Sequence, residues 1–252
     1  MASKAFFDAV RRPLFKGRLT EAQVDGLNRI VAYGIEHGFS RPDLAYVLAT
    51  VHHETGKRMQ PLREGFVKTD ASARRAVQRI YDKGIIRVNY ALPAGPYRQS
   101  YYGRGLVQIT WHENYVKFAK LLGIDLERNP DRALEWAVAL QILFIGMRDG
   151  LFTKYSLDEV PDDMTSPAFD RTDRLIINGD AKKNGDMIAE YAALYWTALE
   201  EEYREVFNTI PETFEDTTDG AGDLDTAPAQ EIYNGPVCPY CQGTGIWRHS
   251  TG

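Results

Sequence analysis

Cysteine is nearly missing from this chain, with two among 252 residues. A disulfide framework is therefore excluded, and stability has to come from burial. Long apolar runs are missing too. No stretch of 18 uncharged apolar residues occurs, which excludes a helical membrane span. The first dozen residues carry only a short apolar patch, Ala5-Phe6-Phe7, and lack the h-region of a signal peptide, so the Sec export route is not expected. No internal repeat is visible. What remains is 44% hydrophobic and 26% charged residues, the composition of an ordinary globular chain. It suits one sizeable core, or one domain followed by a tail, and it rules out collagen-like and fully disordered chains.

The net charge of −5 conceals an uneven distribution. Glu200 to Gly252 holds 11 acids and 2 bases, whereas His52 to Arg104 holds 11 bases and 4 acids. The second stretch either forms a solvated face or attracts an anionic polymer.

Helical periods dominate the first two hundred residues. Thr20-Glu-Ala-Gln23 is a capping box that opens a helix with Val24, Leu27, Ile30, Val31 and Ile35 on one face. Ser40, with Pro42 close behind, opens a second that buries Leu44, Val47, Leu48 and Val51 and stops near Gly56. Asn129-Pro130 predicts a third from Asp131 to about Met147. A fourth starts at Asp180 or Asn184, with Ile188, Tyr191, Leu194, Tyr195 and Leu199 as its stripe. Lys83 to Gly103, with Pro93, Gly95 and Pro96, reads as a long loop, a type of segment that is often functional. Val107 to Thr110 alternates like a short strand.

Candidate chemistry begins at His52-His53-Glu54-Thr55-Gly56. Glu54 falls on the last turn of a helix, at the negative end of its dipole and beside Val51. Both features disfavour a carboxylate and favour a protonated carboxyl, which a general acid requires. A surface glutamate ending a helix is the plain alternative. The HExxH zinc motif fails, because position 57 is Lys57. Glu64, in Pro61-Leu-Arg-Glu64-Gly65-Phe66, is a candidate second carboxylate, since the turn implied by Gly56 and Pro61 would return the chain beside Glu54; a surface ion pair with Arg58 or Arg63 is its alternative. In Tyr101-Tyr-Gly-Arg-Gly-Leu-Val-Gln-Ile-Thr110, tyrosine faces and polar Gln108 and Thr110 would suit a polyhydroxylated ligand. The third glycine of a dinucleotide-binding loop is missing there.

Taken with Asn114-Tyr115, Gly123-Ile-Asp-Leu, Asn129-Pro130 and Ile176-Ile-Asn178-Gly179, these pieces resemble glycoside hydrolase family 19, from about Asp43 to Leu199. That family comprises plant-type chitinases and phage or bacterial peptidoglycan hydrolases. The resemblance implies a mainly α, lysozyme-like helical domain with a small irregular or β-like segment, and an inverting mechanism. It implies Glu54 as general acid, Glu64 as general base with Asp70 and Asp82 as rivals, and Thr110 holding the attacking water. His53, Tyr101, Arg104, Gln108, Asn114 and Asn178 would contact the sugar or wall its groove. Glu113 stands where chitinases often carry an aromatic. The missing leader and the absence of the chitinases' cysteines make the chain more similar to the phage lysins.

The expected organisation is a glycoside hydrolase domain over 1–208, an acidic linker over 209–236 and a short tail over 237–252. The tail contains Cys238-Pro-Tyr-Cys241-Gln-Gly243-Thr-Gly245. It resembles one unit of a zinc-binding repeat found in chaperones, with Cys238 and Cys241 as ligands, His249 as a third, and a second chain completing the set. Reduced thiols on a flexible tail are the alternative. No cofactor is expected for catalysis. The expected partner is the peptidoglycan glycan strand and not a nucleic acid, with virion docking or self-association through the tail. The expected setting is a host bacterial cytoplasm, with release to the cell wall, or a virion. A chitinase, or an inactive virion structural or adaptor protein on the same fold, are the competing readings.

Overall fold

The computed structural model describes residues 1–161 and 165–208, with side chains through residue 204. Eight α-helices appear in this part: α1 (Lys4–Phe15), α2 (Glu21–Glu36), α3 (Arg41–Glu54), α4 (Asp70–Asp82), α5 (His112–Leu122), α6 (Trp136–Arg148), α7 (Ala181–Ala198) and α8 (Glu200–Asn208). The mainly helical fold expected from the sequence is present. Among the described residues, no helix is long and apolar enough to cross a membrane.

Local chemistry sets the helix ends. Thr20 and Gln23 form the reciprocal capping box at the start of α2. Ser40 caps α3 by accepting from the Asp43 N–H, with Pro42 in the first turn, where its missing donor costs nothing. The sequence reading did not mark α1. There Ser3 caps a helix whose Phe6, Val10 and Leu14 recur every fourth residue and are buried, and Pro13 is tolerated near the end.

α3 is the central element. Every residue from Leu44 to His52 is buried, so the helix touches protein on all sides. It packs chiefly on α7, which also contacts α1 and a 3-10 turn, Arg171–Ile176. Ile188, Tyr195 and Leu199 of the predicted α7 stripe are buried; Tyr191 is half-buried and Leu194 is exposed.

Two expectations need correction. The helix predicted from Asp131 is broken: Pro130–Leu134 is a 3-10 turn, Glu135 is extended, and α6 starts at Trp136. Asp131 is drawn out of any helix by Arg104 and Arg63, both of which bind its carboxylate. Val107 to Thr110 is not a strand. Arg104–Gly105 forms β2, antiparallel to β1 (Leu62–Arg63), with Leu62 opposite Gly105 and Arg63 opposite Arg104. The chain then turns so sharply that Ile109 bonds back to Arg104 through both backbone groups. Gln108, at φ 55°, lies in the left-handed region within that turn.

Candidate active site

α3 ends on Glu54, and the chain reverses through Thr55 and Gly56. The Thr55 hydroxyl donates to the Val51 carbonyl at 2.7 Å and accepts from the Met59 N–H at 3.0 Å, which fixes the reversal. Phe66, at the end of a short 3-10 turn, Glu64–Phe66, lies against this corner. A Cβ added to Gly56 would come within 3.0 Å of its ring. Lacking a side chain, Gly56 leaves room for the Phe66 ring at the corner where the helix carrying Glu54 ends.

Glu54 is 17% exposed and meets Arg174 Nη1 at 2.7 Å. The Arg174 guanidinium is 2% exposed and is held on its other edge by Asp180, at 2.6 Å. Asn184 also bonds Asp180. Burial pushes the Asp180 carboxyl up, but the hydrogen bonds from Arg174 and Asn184 outweigh it and hold the carboxyl below its ordinary value. His53 is half-buried beside this group. Burial, with Arg174 and Lys183, keeps its imidazole below the usual range against the opposing pull of Glu54 and Asp180. Asn178 is exposed on the bend between Arg174 and Asp180, and its N–H donates to the Arg174 carbonyl at 3.0 Å.

Glu64 has a different environment. Its N–H donates to the Gly103 carbonyl at 2.7 Å, and its Oε2 accepts from the Gly103 N–H at 3.2 Å. The Tyr90 hydroxyl donates to it as well. Burial raises the Glu64 pKa above its ordinary value, and these two bonds reduce the rise without cancelling it. The Tyr90 phenol is pushed up to about 12 by burial and by the neighbouring carboxylate. Gly103 is required by space: a Cβ there would lie 2.6 Å from Glu64 Oε2 and 2.9 Å from Gln108 Oε1. Gln108 Nε2 donates to the carbonyls of Leu62 and Gly105, at 2.8 and 3.1 Å, and so ties the turn to β1. Thr110 Oγ1 donates to the Gln108 carbonyl at 2.9 Å, and Asn114 Nδ2 donates to the Thr110 carbonyl at 2.8 Å. The structure therefore brings Glu64, Gln108, Thr110 and Asn114 together.

Two expected sugar contacts have other work. Arg104 is 2% exposed. Its guanidinium lies 3.6 Å from the Tyr102 ring centroid and donates to Asp131, to the carbonyls of Ser100 and Tyr102, and to the Tyr115 hydroxyl. Tyr101 is 1% exposed; its hydroxyl donates to the Glu127 carbonyl, and its ring packs on His112 and Tyr115. Both side chains are enclosed by the fold and shape the site from behind. The two rival bases are also engaged elsewhere. Asp70 accepts from Tyr102 at 3.0 Å and pairs with Arg74 at 2.9 Å, while Asp82 accepts from Gln78 at 2.6 Å on an exposed helix end.

Sequence reasoning missed Arg174, Tyr90 and the special need for Gly103. Arg174 stands four residues before Asn178, but nothing local shows that a lone arginine is buried. Tyr90 lies in the loop already marked as functional. Among the described residues, no three His, Cys, Asp or Glu side chains are grouped to hold a metal ion. Cys238, Cys241 and His249, the linker and the tail lie outside the described residues.

No protein-family model matches the chain. An endochitinase of Arabidopsis thaliana is 42% identical over 55 residues, which cover 20% of this chain and 20% of that protein. An endochitinase of Avena sativa is 46% identical over 43 residues, covering 16% of this chain and 22% of the other. The chain thus matches about a fifth of the length of these relatives. A crystal structure of a chitinase C mutant is similar over 79% of this chain and 92% of its own, with a TM-score of 0.50 and 21% identity. The fold is therefore similar to that of a chitinase, in keeping with the resemblance to glycoside hydrolase family 19.

Proposed function

We propose that the chain is a glycoside hydrolase that cuts a β-1,4-linked glycan of N-acetylated sugars by acid–base catalysis, with bacterial peptidoglycan as its substrate. The observation that carries the reading is the pair of half-buried carboxylates, Glu54 and Glu64. They lie on either side of the corner where the Phe66 ring meets Gly56, and their environments differ: one is set against a cation, the other among neutral donors. The roles themselves, Glu54 as acid and Glu64 as base, are taken from the resemblance to glycoside hydrolase family 19.

In this mechanism Glu54 gives its proton to the glycosidic oxygen as the bond to the anomeric carbon breaks. Arg174 is shared between Glu54 and Asp180, fixing the Glu54 carboxyl in place. Glu64 takes a proton from a water molecule, whose oxygen forms the new bond to the anomeric carbon. Burial raises the Glu64 pKa, which makes its carboxylate a stronger base. Thr110 orients the water, and Gln108, Asn114, Asn178 and His53 bind the sugar. The reaction needs no metal or organic cofactor, and attack from the face opposite the leaving group inverts the anomeric centre.

Peptidoglycan is favoured by the basic stretch from His52 to Arg104, which suits an anionic wall. Chitin is favoured by the local identity to endochitinases. Reducing-end release from purified peptidoglycan and from chitin oligomers, by wild type and Glu54→Gln, separates the readings. Release from peptidoglycan that the variant loses is the expected result. Release from chitin alone moves the substrate to chitin, and no release from either polymer favours the non-enzymatic, structural alternative.

A further inference from the structure

α4 and the irregular segment that follows it form a surface that no step of the proposed catalysis uses, although its cations belong to the basic stretch that suits an anionic wall. Their inner side builds a small apolar cluster of its own, with Ala73, Val77, Ala91 and Tyr102 buried and Ile86 and Tyr90 packed against them. Their outer side is also apolar. Ile85 is 68% exposed, Leu92 59% and Val88 55%, with Tyr81 and Tyr97 each about two-fifths exposed. Single exposed apolar side chains are ordinary, but five fall between residues 81 and 97, and such a concentration marks an interaction surface.

Cations are interleaved with these side chains. Arg75, Arg79, Lys83, Arg87 and Arg98 are all exposed. Arg74 is paired with Asp70, but Arg79, Lys83, Arg87 and Arg98 enter no ion pair among the described residues. The one acid between residues 71 and 99 is Asp82, which is occupied by Gln78. This positive surface belongs to a chain whose net charge is −5, so overall charge does not explain it.

We propose that the surface formed by residues 75–98 docks on an anionic lipid bilayer, with Ile85, Val88 and Leu92 entering the headgroup region and the arginines and Lys83 meeting lipid phosphates. Charge complementarity alone would serve any polyanion. The exposed aliphatic side chains choose between them: a soluble polyanion would leave them in water, whereas an interface buries them and attracts the cations at once. The proposal does not rest on the glycan-cleaving reading, and its test does not use hydrolysis of peptidoglycan as the readout.

Cosedimentation of the full chain with vesicles of phosphatidylglycerol and phosphatidylethanolamine, against vesicles of phosphatidylcholine, tests it. Wild type is expected to pellet with the anionic vesicles and stay in solution with the zwitterionic ones. Ile85→Ser/Val88→Ser/Leu92→Ser and Arg79→Gln/Lys83→Gln/Arg87→Gln should each bind at least about tenfold more weakly. Both sets of side chains are exposed, so thermal melting should match wild type and exclude unfolding as the cause. Wild type remaining in solution with anionic vesicles overturns the proposal. So does undiminished binding by the triple serine variant, which would make the contact a purely electrostatic one open to any polyanion. Equal binding to phosphatidylcholine also overturns it.

Discussion

The two glutamates of the candidate site differ most in what surrounds them. Glu54 closes a helix buried on all sides and meets a guanidinium that is itself enclosed. Glu64 sits where irregular segments meet, and its partners are neutral: one backbone N–H and one phenol. A charged partner fixes a carboxylate through strong pairing in a rigid frame. Burial with neutral donors leaves the carboxylate a better proton acceptor. The same residue type thus meets two environments, one set by the helical core and the other by the loops.

The largest effect is expected at the charged end. Arg174→Met leaves Glu54 and Asp180 facing each other without their shared cation, and should cost about 3–5 kcal/mol of stability in urea titrations. A cost below about 1 kcal/mol would mean the pair contributes no more than a surface ion pair, and would remove the contrast between the two ends. At the other end, Gly103→Ala forces a Cβ against Glu64 Oε2 and Gln108 Oε1. Displacing both should lower kcat/KM by about a hundredfold or more, since small misplacements of catalytic groups cost that much. Stability should fall only by about 1–3 kcal/mol, the usual cost of overpacking. Full activity in this variant would show that Glu64 is not held by Gly103.

His52 offers a smaller test, behind the charged end. It is fully buried, its Nδ1 lies 3.0 Å from the Tyr195 hydroxyl, and burial, then Lys57 and His53, lower its pKa from 6.5 to about 3. The folded state therefore refuses a proton that the unfolded chain accepts below about 6.5. The stability conferred by neutral His52 is complete above that pH and declines as pH falls toward 3, by about 1.4 kcal/mol per pH unit. Urea midpoints at pH 7 and pH 5 measure the decline, and His52→Gln should flatten it. The smallest effect belongs to Tyr90→Phe. Its hydroxyl stabilises ionised Glu64, so its loss should move the acid limb of kcat/KM to higher pH. A limb that stays in place would assign that ionisation to another group.

The helical half was readable in advance because its signals are local. Caps at Thr20 and Ser40 and the apolar stripes of α2 and α3 set the frame, and Glu54 follows from where α3 stops. The loop half was readable in composition but not in direction. The motif around Arg104 marks the right segment, yet local pattern could not tell that Arg104 and Tyr101 turn inward to Asp131 and Glu127, residues 27 and 26 positions away. The break at Glu135 has the same origin, because Asp131 answers to Arg104 and Arg63 and not to its own helical propensity. Arg174 reaches Glu54 from 120 positions along the chain, and no pattern of neighbouring residues reports such a pairing.

The assignment of different roles to the two carboxyls is tested most directly by changing the leaving group. An aryl glycoside that departs as 2,4-dinitrophenolate needs no proton, whereas a sugar alcohol does. Rates of Glu54→Gln and Glu64→Gln should be compared on an N-acetylated oligosaccharide and on its dinitrophenyl counterpart. The account predicts that Glu54→Gln loses about 10²–10⁴ on the natural glycan and recovers most of it on the aryl substrate, while Glu64→Gln stays impaired on both. Equal losses on both substrates by both variants, or no loss by either, would contradict it.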